Sequence, residues 1–150
     1  MEILNLRRAT INDIDLIFEW ANDPLTRAQS FSNKPILYDT HVAWFNKKID
    51  DPGCFMYVLE YEGEPCGTIR VDQEKDAGII SYNIAPYWRG RGLGVAILKL
   101  LEGKIKSDAP NIHILKGEVK LYNLSSQKCF EYIGYTKTFE NEYYLYTLTI

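Results

Sequence analysis

Arg89, Gly90, Arg91, Gly92 and Gly94 crowd into the run Ile84-Ala-Pro-Tyr-Trp-Arg-Gly-Arg-Gly-Leu-Gly94, just ahead of a helical apolar pattern. Three glycines this close let the backbone turn tightly and bring its N–H groups near a ligand. The helix that follows adds unpaired N–H donors and the positive end of its dipole. Such a turn suits an anion, most often a phosphate, and Arg89 and Arg91 can add charge-assisted hydrogen bonds.

Other phosphate loops call for other spacings. A nucleotide P-loop needs Lys-Ser or Lys-Thr after its glycines, and a dinucleotide fingerprint needs G-x-G-x-x-G inside a βαβ unit. Neither fits here: no Lys-Ser or Lys-Thr follows these glycines, the dinucleotide spacing is wrong, and the segments before the loop read as antiparallel hairpins. A plain turn joining strand to helix would use the same glycines.

The elements that position the loop follow from periodicity. Ile3, Leu4 and Leu6 predict a first strand, and Thr10 to Ala21 a helix with an apolar face at Ile11, Ile14, Ile17, Phe18 and Ala21. Asn22-Asp23-Pro24 ends it. A loop over Gln29 to Pro35 leads to a second helix from about Asp39 to Ile49, and Asp50-Asp51-Pro52-Gly53 breaks the chain again. Strands are predicted over Phe55 to Tyr61, Gly67 to Val71 and Gly78 to Ile84, an antiparallel meander. Leu93, Ile97, Leu100, Leu101 and Ile105 mark a third helix. A strand over Ile112 to Val119, a fourth helix capped by Asn123 and ending at Gly134, and strands over Tyr135 to Phe139 and Tyr143 to Thr149 complete the order β-α-α-β-β-β-α-β-α-β-β.

The 150 residues, 46% of them apolar, suffice for one compact domain over 1–150. A net charge of −3 argues against a general nucleic-acid binder. No apolar run reaches membrane-spanning length, and the start MEILNLRRAT lacks the layout of a secretion signal. Cys54, Cys66 and Cys129 lack metal-ligand spacing and read as free thiols, so a soluble cytoplasmic protein without a metal is expected. Cys129 is either a thiol near a ligand or a packed one.

R-x-x-G-x-G at a helix entry resembles the acetyl-coenzyme A (acetyl-CoA) loop of the GNAT acetyltransferases. A second run, Asn123-Leu-Ser-Ser126-Gln-Lys-Cys-Phe130-Glu-Tyr-Ile-Gly134-Tyr135, is similar to that family's N-x-x-[AS]-x-x-x-[YF]-x-x-x-G-[FY] pattern. The resemblance spans essentially the whole chain. It implies an α/β fold with a mixed sheet of about seven strands, flanked by about four helices and splayed at the cofactor site. It also implies acetyl-CoA as co-substrate. Backbone groups near Asn83, Ile84 and Ala85 would pair with the pantetheine arm, and Arg89, Gly90, Arg91, Gly92, Leu93 and Gly94 would hold the pyrophosphate. Asn123, with Ser126 and Phe130, would border the arm from the other side; Asn123 is equally a helix cap.

The chain departs from the family at the acid. Many relatives carry, at the position of Phe130, a tyrosine thought to protonate the leaving thiolate. Tyr132 or solvent is then left to act. No carboxylate lies on Gly78 to Ile84, where some relatives place a base; Ser81, Tyr82 and Asn83 can orient substrate or water. His41 is either a base or a core partner of Trp44 and Phe45 on one helical face. His113, inside a predicted strand, reads as structural.

The segment Tyr38-Asp-Thr-His41-Val-Ala-Trp44-Phe45 resembles an H-x-x-W-F signature of a branch that acetylates UDP-linked 4-amino sugars for surface glycans. That resemblance implies an acceptor pocket drawing on Phe31, Tyr38, His41, Trp44 and Ser81, with Trp88 a further aromatic. A protein N-terminus docked near Glu60, Glu62 and Glu64 is the alternative acceptor, and a non-catalytic acyl-CoA-binding module the alternative class. A monomer, or a homodimer through the aromatic C-terminal strands, is expected.

Overall fold

The computed structural model describes residues 3–150. Seven strands form one mixed sheet: β1 (Leu4–Arg8), β2 (Cys54–Tyr61), β3 (Glu64–Glu74), β4 (Ala77–Ile84), β5 (Ile114–Lys120), β6 (Thr136–Glu140) and β7 (Tyr143–Thr149). Their spatial order is β1-β2-β3-β4-β5-β7-β6. The β2–β3 turn closes on Glu62 and Gly63, both at positive φ, the two-residue hairpin geometry that follows strand twist.

Five helices flank the sheet: α1 (Ile14–Ala21), α2 (Pro24–Gln29), α3 (Tyr38–Ile49), α4 (Leu93–Asp108) and α5 (Leu124–Tyr132). Ile97, Leu101 and Ile105 of α4 are fully enclosed in a core with Ile69, Val71 and Leu115. On the opposite face Ile17 and Phe45 close over Met56 and Val58.

Three expectations need correction. The first helix begins at Ile14, after a separate 3-10 turn over Ile11–Asp13 that Thr10 caps. Four helices become five: proline does end α1, but it also fits the first turn of a new helix, which Asp23 caps by accepting from the Thr26 amide at 3.2 Å. His113 lies just ahead of β5 and is exposed.

The functional consequence of the sheet lies between β4 and β5. They pair in parallel only from Ala77 with Ile114 to Ile80 with Gly117. Past that point β4 keeps its pairing with β3 as far as Ile84, and β5 keeps its pairing with β7 as far as Lys120. The two strands therefore part like a fork. Gly117 sits at the branch because Phe130 lies directly over it: a side-chain carbon there would meet three ring atoms at 2.5, 2.9 and 3.1 Å.

Gly117→Ala is expected to lower the unfolding free energy by about 1–3 kcal/mol through overpacking. Gly103→Ala, at an exposed α4 position where nothing lies within 4 Å of the added carbon, should raise it by about 0.5–1 kcal/mol. Urea midpoints of the two variants check the contrast.

Candidate active site

Two cavities meet at the open end of β4. The larger, about 620 Å³, fills the fork and runs from Leu25, Gln29 and Phe31 past Tyr82 and Phe130 to the Gly90–Gly94 turn. The smaller, about 430 Å³, lies on the α1–α3 face between His41, Trp44, Thr68 and Arg70. Thr26, Ser30, Ser81, Tyr82 and Asn83 belong to both walls. A ligand in one cavity can thus reach a ligand in the other beside Tyr82.

In the larger cavity the turn is built as an anion cradle. Gly90 and Gly92 both take φ of 77°, a left-handed conformation that L side chains resist. Gly92 caps α4, so the amides of Leu93, Gly94 and Val95 lack intrahelical acceptors. The first turn of α4 holds no acidic residue to compete with an anion. Gly94 is glycine for a different reason: a side-chain carbon there would sit 2.8 Å from Cys129 Sγ, which forms part of the cavity wall. Cys129 is half-buried, and burial raises its pKa.

The fork also leaves backbone groups bare. The Ala85 amide donates to Cys66 O at 2.9 Å, so by antiparallel alternation Asn83 also bonds toward β3. Tyr82 then turns both backbone groups toward the gap and Ile84 its amide, while the Ile84 carbonyl accepts from Arg89 Nε at 3.2 Å. This corrects the expectation for Asn83 and Ala85, which have no backbone group to spare on that side. Gln29 borders this cavity, and its Oε1 is buried without a hydrogen-bond partner among the described residues.

Tyr82 joins the two motifs across the fork. Its hydroxyl lies 2.8 Å from Ser126 Oγ, and its ring meets Phe130 edge-on at 5.9 Å. Burial pushes its phenol well above the ordinary tyrosine range, so the hydroxyl keeps its proton at neutral pH. Phe130 is itself stacked on Tyr146 at 5.1 Å. Asn123 Oδ1 accepts from the Ser126 amide at 3.2 Å, which is the cap, while its Nδ2 stays free in the larger cavity.

The smaller cavity is aromatic and cationic. His41 is buried, with its Nε2–H donating to Ile14 O at 2.8 Å, so a neutral ring keeps Nδ1 as its open nitrogen. The Arg70 guanidinium lies 4.9 Å over the Trp44 ring and donates to Ser81 Oγ at 3.3 Å.

Residues 14–135 match the acetyltransferase (GNAT) family. The chain belongs to that family. No curated protein sequence matches it. Among solved structures, a putative acetyltransferase from Salmonella typhimurium with its cofactor acetyl-CoA is 20% identical, at TM-score 0.79, over 99% of this chain and 94% of that one. Spermidine N-acetyltransferase from Vibrio cholerae in complex with CoA and spermine is 18% identical, at TM-score 0.85, over 98% and 95%. A domain from Methanocaldococcus jannaschii is 20% identical, at TM-score 0.84, over 98% of each chain.

Several side chains of this acetyltransferase fall elsewhere than expected. Arg89 borders the larger cavity, but its guanidinium is bound to Asp23 at 2.8 Å, Thr26 Oγ1 at 3.0 Å and Ile84 O at 3.2 Å. It ties α2 to the loop. Arg91 lies outside both cavities, over the Tyr87 and Trp88 rings at 5.0 and 4.9 Å. Phe31 and Trp88 border the larger cavity, and Tyr38 borders neither because Asp15 holds its hydroxyl. Tyr132 is 75% exposed, outside both walls, beneath Lys99. His41, Trp44 and Ser81 do line the smaller cavity. Tyr82 and Gln29 carry more of the site than their spacing announced. The one sequence signal for Tyr82 is a phenol two positions from Ile84, on a strand running into the loop.

The Arg89–Asp23 clasp makes a pH prediction. Burial raises the Asp23 pKa, but Arg89 and the Thr26 amide outweigh it, leaving the carboxyl below its ordinary value. A depressed acid stabilises the fold above its unfolded pKa, about 3.9, and loses that contribution as pH falls through the native value. Asp23→Asn should therefore cost stability at pH 7 and progressively less below about pH 4, as read from urea midpoints of both proteins.

Among the described residues, no group of three or more His, Cys, Asp or Glu could hold a metal ion, and no helix is long and apolar enough to cross a membrane.

Proposed function

We propose that the chain transfers the acetyl group of acetyl-CoA to an amine, by direct attack at the junction of the two cavities. The observation that carries this reading is the fork: a cradle of bare amides at one end and unpaired strand backbone beyond Ile80 and Gly117, with Gln29 in its wall. These features fit a long ligand with a pyrophosphate and an amide-bearing arm. The Salmonella typhimurium and Vibrio cholerae neighbours, which share this fold, are complexes with acetyl-CoA and CoA.

In this reading the amides of Leu93 to Val95 hold the pyrophosphate. The backbone of Tyr82 and the Ile84 amide align the arm like an added strand, while Gln29 and Asn123 fix it from the sides. Bound acetyl-CoA supplies an activated carbonyl; the amine nitrogen bonds to its carbon as the carbon–sulfur bond breaks, giving an amide and free thiol. Tyr82 gives its hydroxyl proton to the sulfur, and the proton that the attacking nitrogen sheds as the amide forms returns to Tyr82 through solvent and Ser126 Oγ. It thus takes the part that Phe130, which has no proton, cannot play. His41 Nδ1 takes the proton that the ammonium must lose before attack.

The finer reading is an amino sugar carried on UDP. It rests on the resemblance around His41 and Trp44, both in the smaller cavity wall, with Thr68, Ser81 and Asn83 as polar anchors. Phe31, Tyr38 and Trp88 take no part in it.

Thiol release from acetyl-CoA in the presence of UDP-linked 4-amino-4,6-dideoxyhexoses, peptides with free N-termini and polyamines tests the reading. Release with the sugar nucleotide supports it. Release with peptides alone replaces the acceptor. Silence with every amine, with coenzyme A binding intact, favours a regulatory module. Tyr82→Phe should lower kcat by about 10²-fold and leave the dissociation constant for coenzyme A unchanged; an unchanged kcat would remove Tyr82 from the reaction.

A further inference from the structure

The charges around the smaller cavity do not balance. Its lining residues include two arginines, Arg27 and Arg70, and no Asp or Glu. The nearest carboxylate to Arg70 is Asp72, which accepts from Arg70 Nε at 2.8 Å but also from Lys48 Nζ at 2.8 Å. One negative charge is shared by two positive ones. Arg70 Nη2 bonds only Ser81 Oγ, at 3.3 Å, and its Nη1 makes no hydrogen bond among the described residues. Two faces of the guanidinium fork are thus spoken for and one is open.

Arg27 is less compensated still. Its donors go to the carbonyls of Ala21 at 2.7 Å, Ser32 at 3.1 Å and Lys34 at 3.3 Å, and to Ser30 Oγ at 3.2 Å. No carboxylate pairs with it among the described residues. Burial alone lowers its pKa, the mark of a cation taken from water without a counter-ion. A wall with two partly desolvated guanidiniums is short of an anion, and a free guanidinium fork suits a carboxylate or phosphate in particular.

We infer that the acceptor is an anionic amine, whose carboxylate or phosphate is taken by Arg70 while its nitrogen lies at the junction beside Ser81 and Tyr82. Arg70 faces Ser81 across one strand spacing in the β3–β4 register. The anion therefore sits roughly 5–10 Å from the amine, one to two strand spacings. A polyamine, such as the spermine bound by the Vibrio cholerae neighbour, would meet two guanidiniums and no carboxylate here. This inference rests on the acetyl-transfer reading above and adds the charge of the acceptor to it.

The test compares matched acceptors that differ only in charge. One pair is a 4-amino sugar 1-phosphate and its uncharged methyl glycoside, with the UDP-linked sugar alongside. The other pair is an ω-amino acid whose carboxylate lies several carbons from its nitrogen, such as 5-aminopentanoate, and its amide; spermidine is the cationic control. The expected result is a KM about 10–100-fold lower for the anionic member of one pair, the scale of a hydrogen-bonded charge. Which pair responds separates a phosphate from a carboxylate acceptor. Arg70→Gln should raise that KM by a similar factor, leave the uncharged partner's KM and the coenzyme A dissociation constant unchanged, and change kcat little. Arg70→Lys, which keeps the charge without the fork, should restore part of the loss. Equal use of charged and uncharged partners, preference for spermidine, or an Arg70→Gln effect equal on both partners would overturn the inference while leaving acetyl transfer standing. Transfer to no amine by the wild-type protein would overturn the reading beneath it.

Discussion

The constraint on which the rest depends is the parting of β4 from β5 beyond Ile80 and Gly117. A sheet interior normally leaves no backbone group unpaired, because each costs free energy when it loses water without gaining a partner. Here two neighbouring strands each keep one partner and give up the other, and the groups they expose face a cavity. Phe130 and Gly117 hold the branch: the ring lies against a residue with no side chain, stacks on Tyr146 and meets Tyr82 at its edge. Phe130 serves in this chain as a packing wedge.

The two sides of the site meet charge by different means. In the larger cavity the bare donors are backbone amides, and the loop arginines are struts: Arg89 anchors α2 through Asp23 and Thr26, and Arg91 lies over Tyr87 and Trp88. In the smaller cavity it is side chains that carry charge, with Arg27 and Arg70 in the wall. Helix α2 links the two cavities, since Thr26 belongs to both walls and Gln29 to the wall of the larger.

Much of this was legible in residue types and spacing. Seven strands, the splay, and the anion turn follow from periodicity, from glycines that must take positive φ, and from the family resemblance. What escaped did so for identifiable reasons. Helix α2 was hidden because Asp23-Pro24 both stops one helix and starts another. Tyr132 fails as an acid by helix geometry: two residues beyond Phe130 is roughly 200° around the axis, so a buried Phe130 turns Tyr132 to solvent. Tyr38 has the right phase to join His41, but Asp15, remote in sequence, holds its hydroxyl. Tyr82 was named among residues able to orient substrate or water, but its place beside Ser126 and Phe130, like the place of Gln29, emerges only when strand pairing and cavity walls are known.

Amide hydrogen exchange, with and without coenzyme A, tests the central claim most directly. The account expects slowed exchange at Tyr82 and Ile84 on the open edge of β4 and at Leu93 to Val95 in the first turn of α4, with little change at the outer strands β1 and β6. Coenzyme A binding that leaves those amides unchanged, or that slows exchange only on the α1–α3 face, would contradict the fork as the donor site.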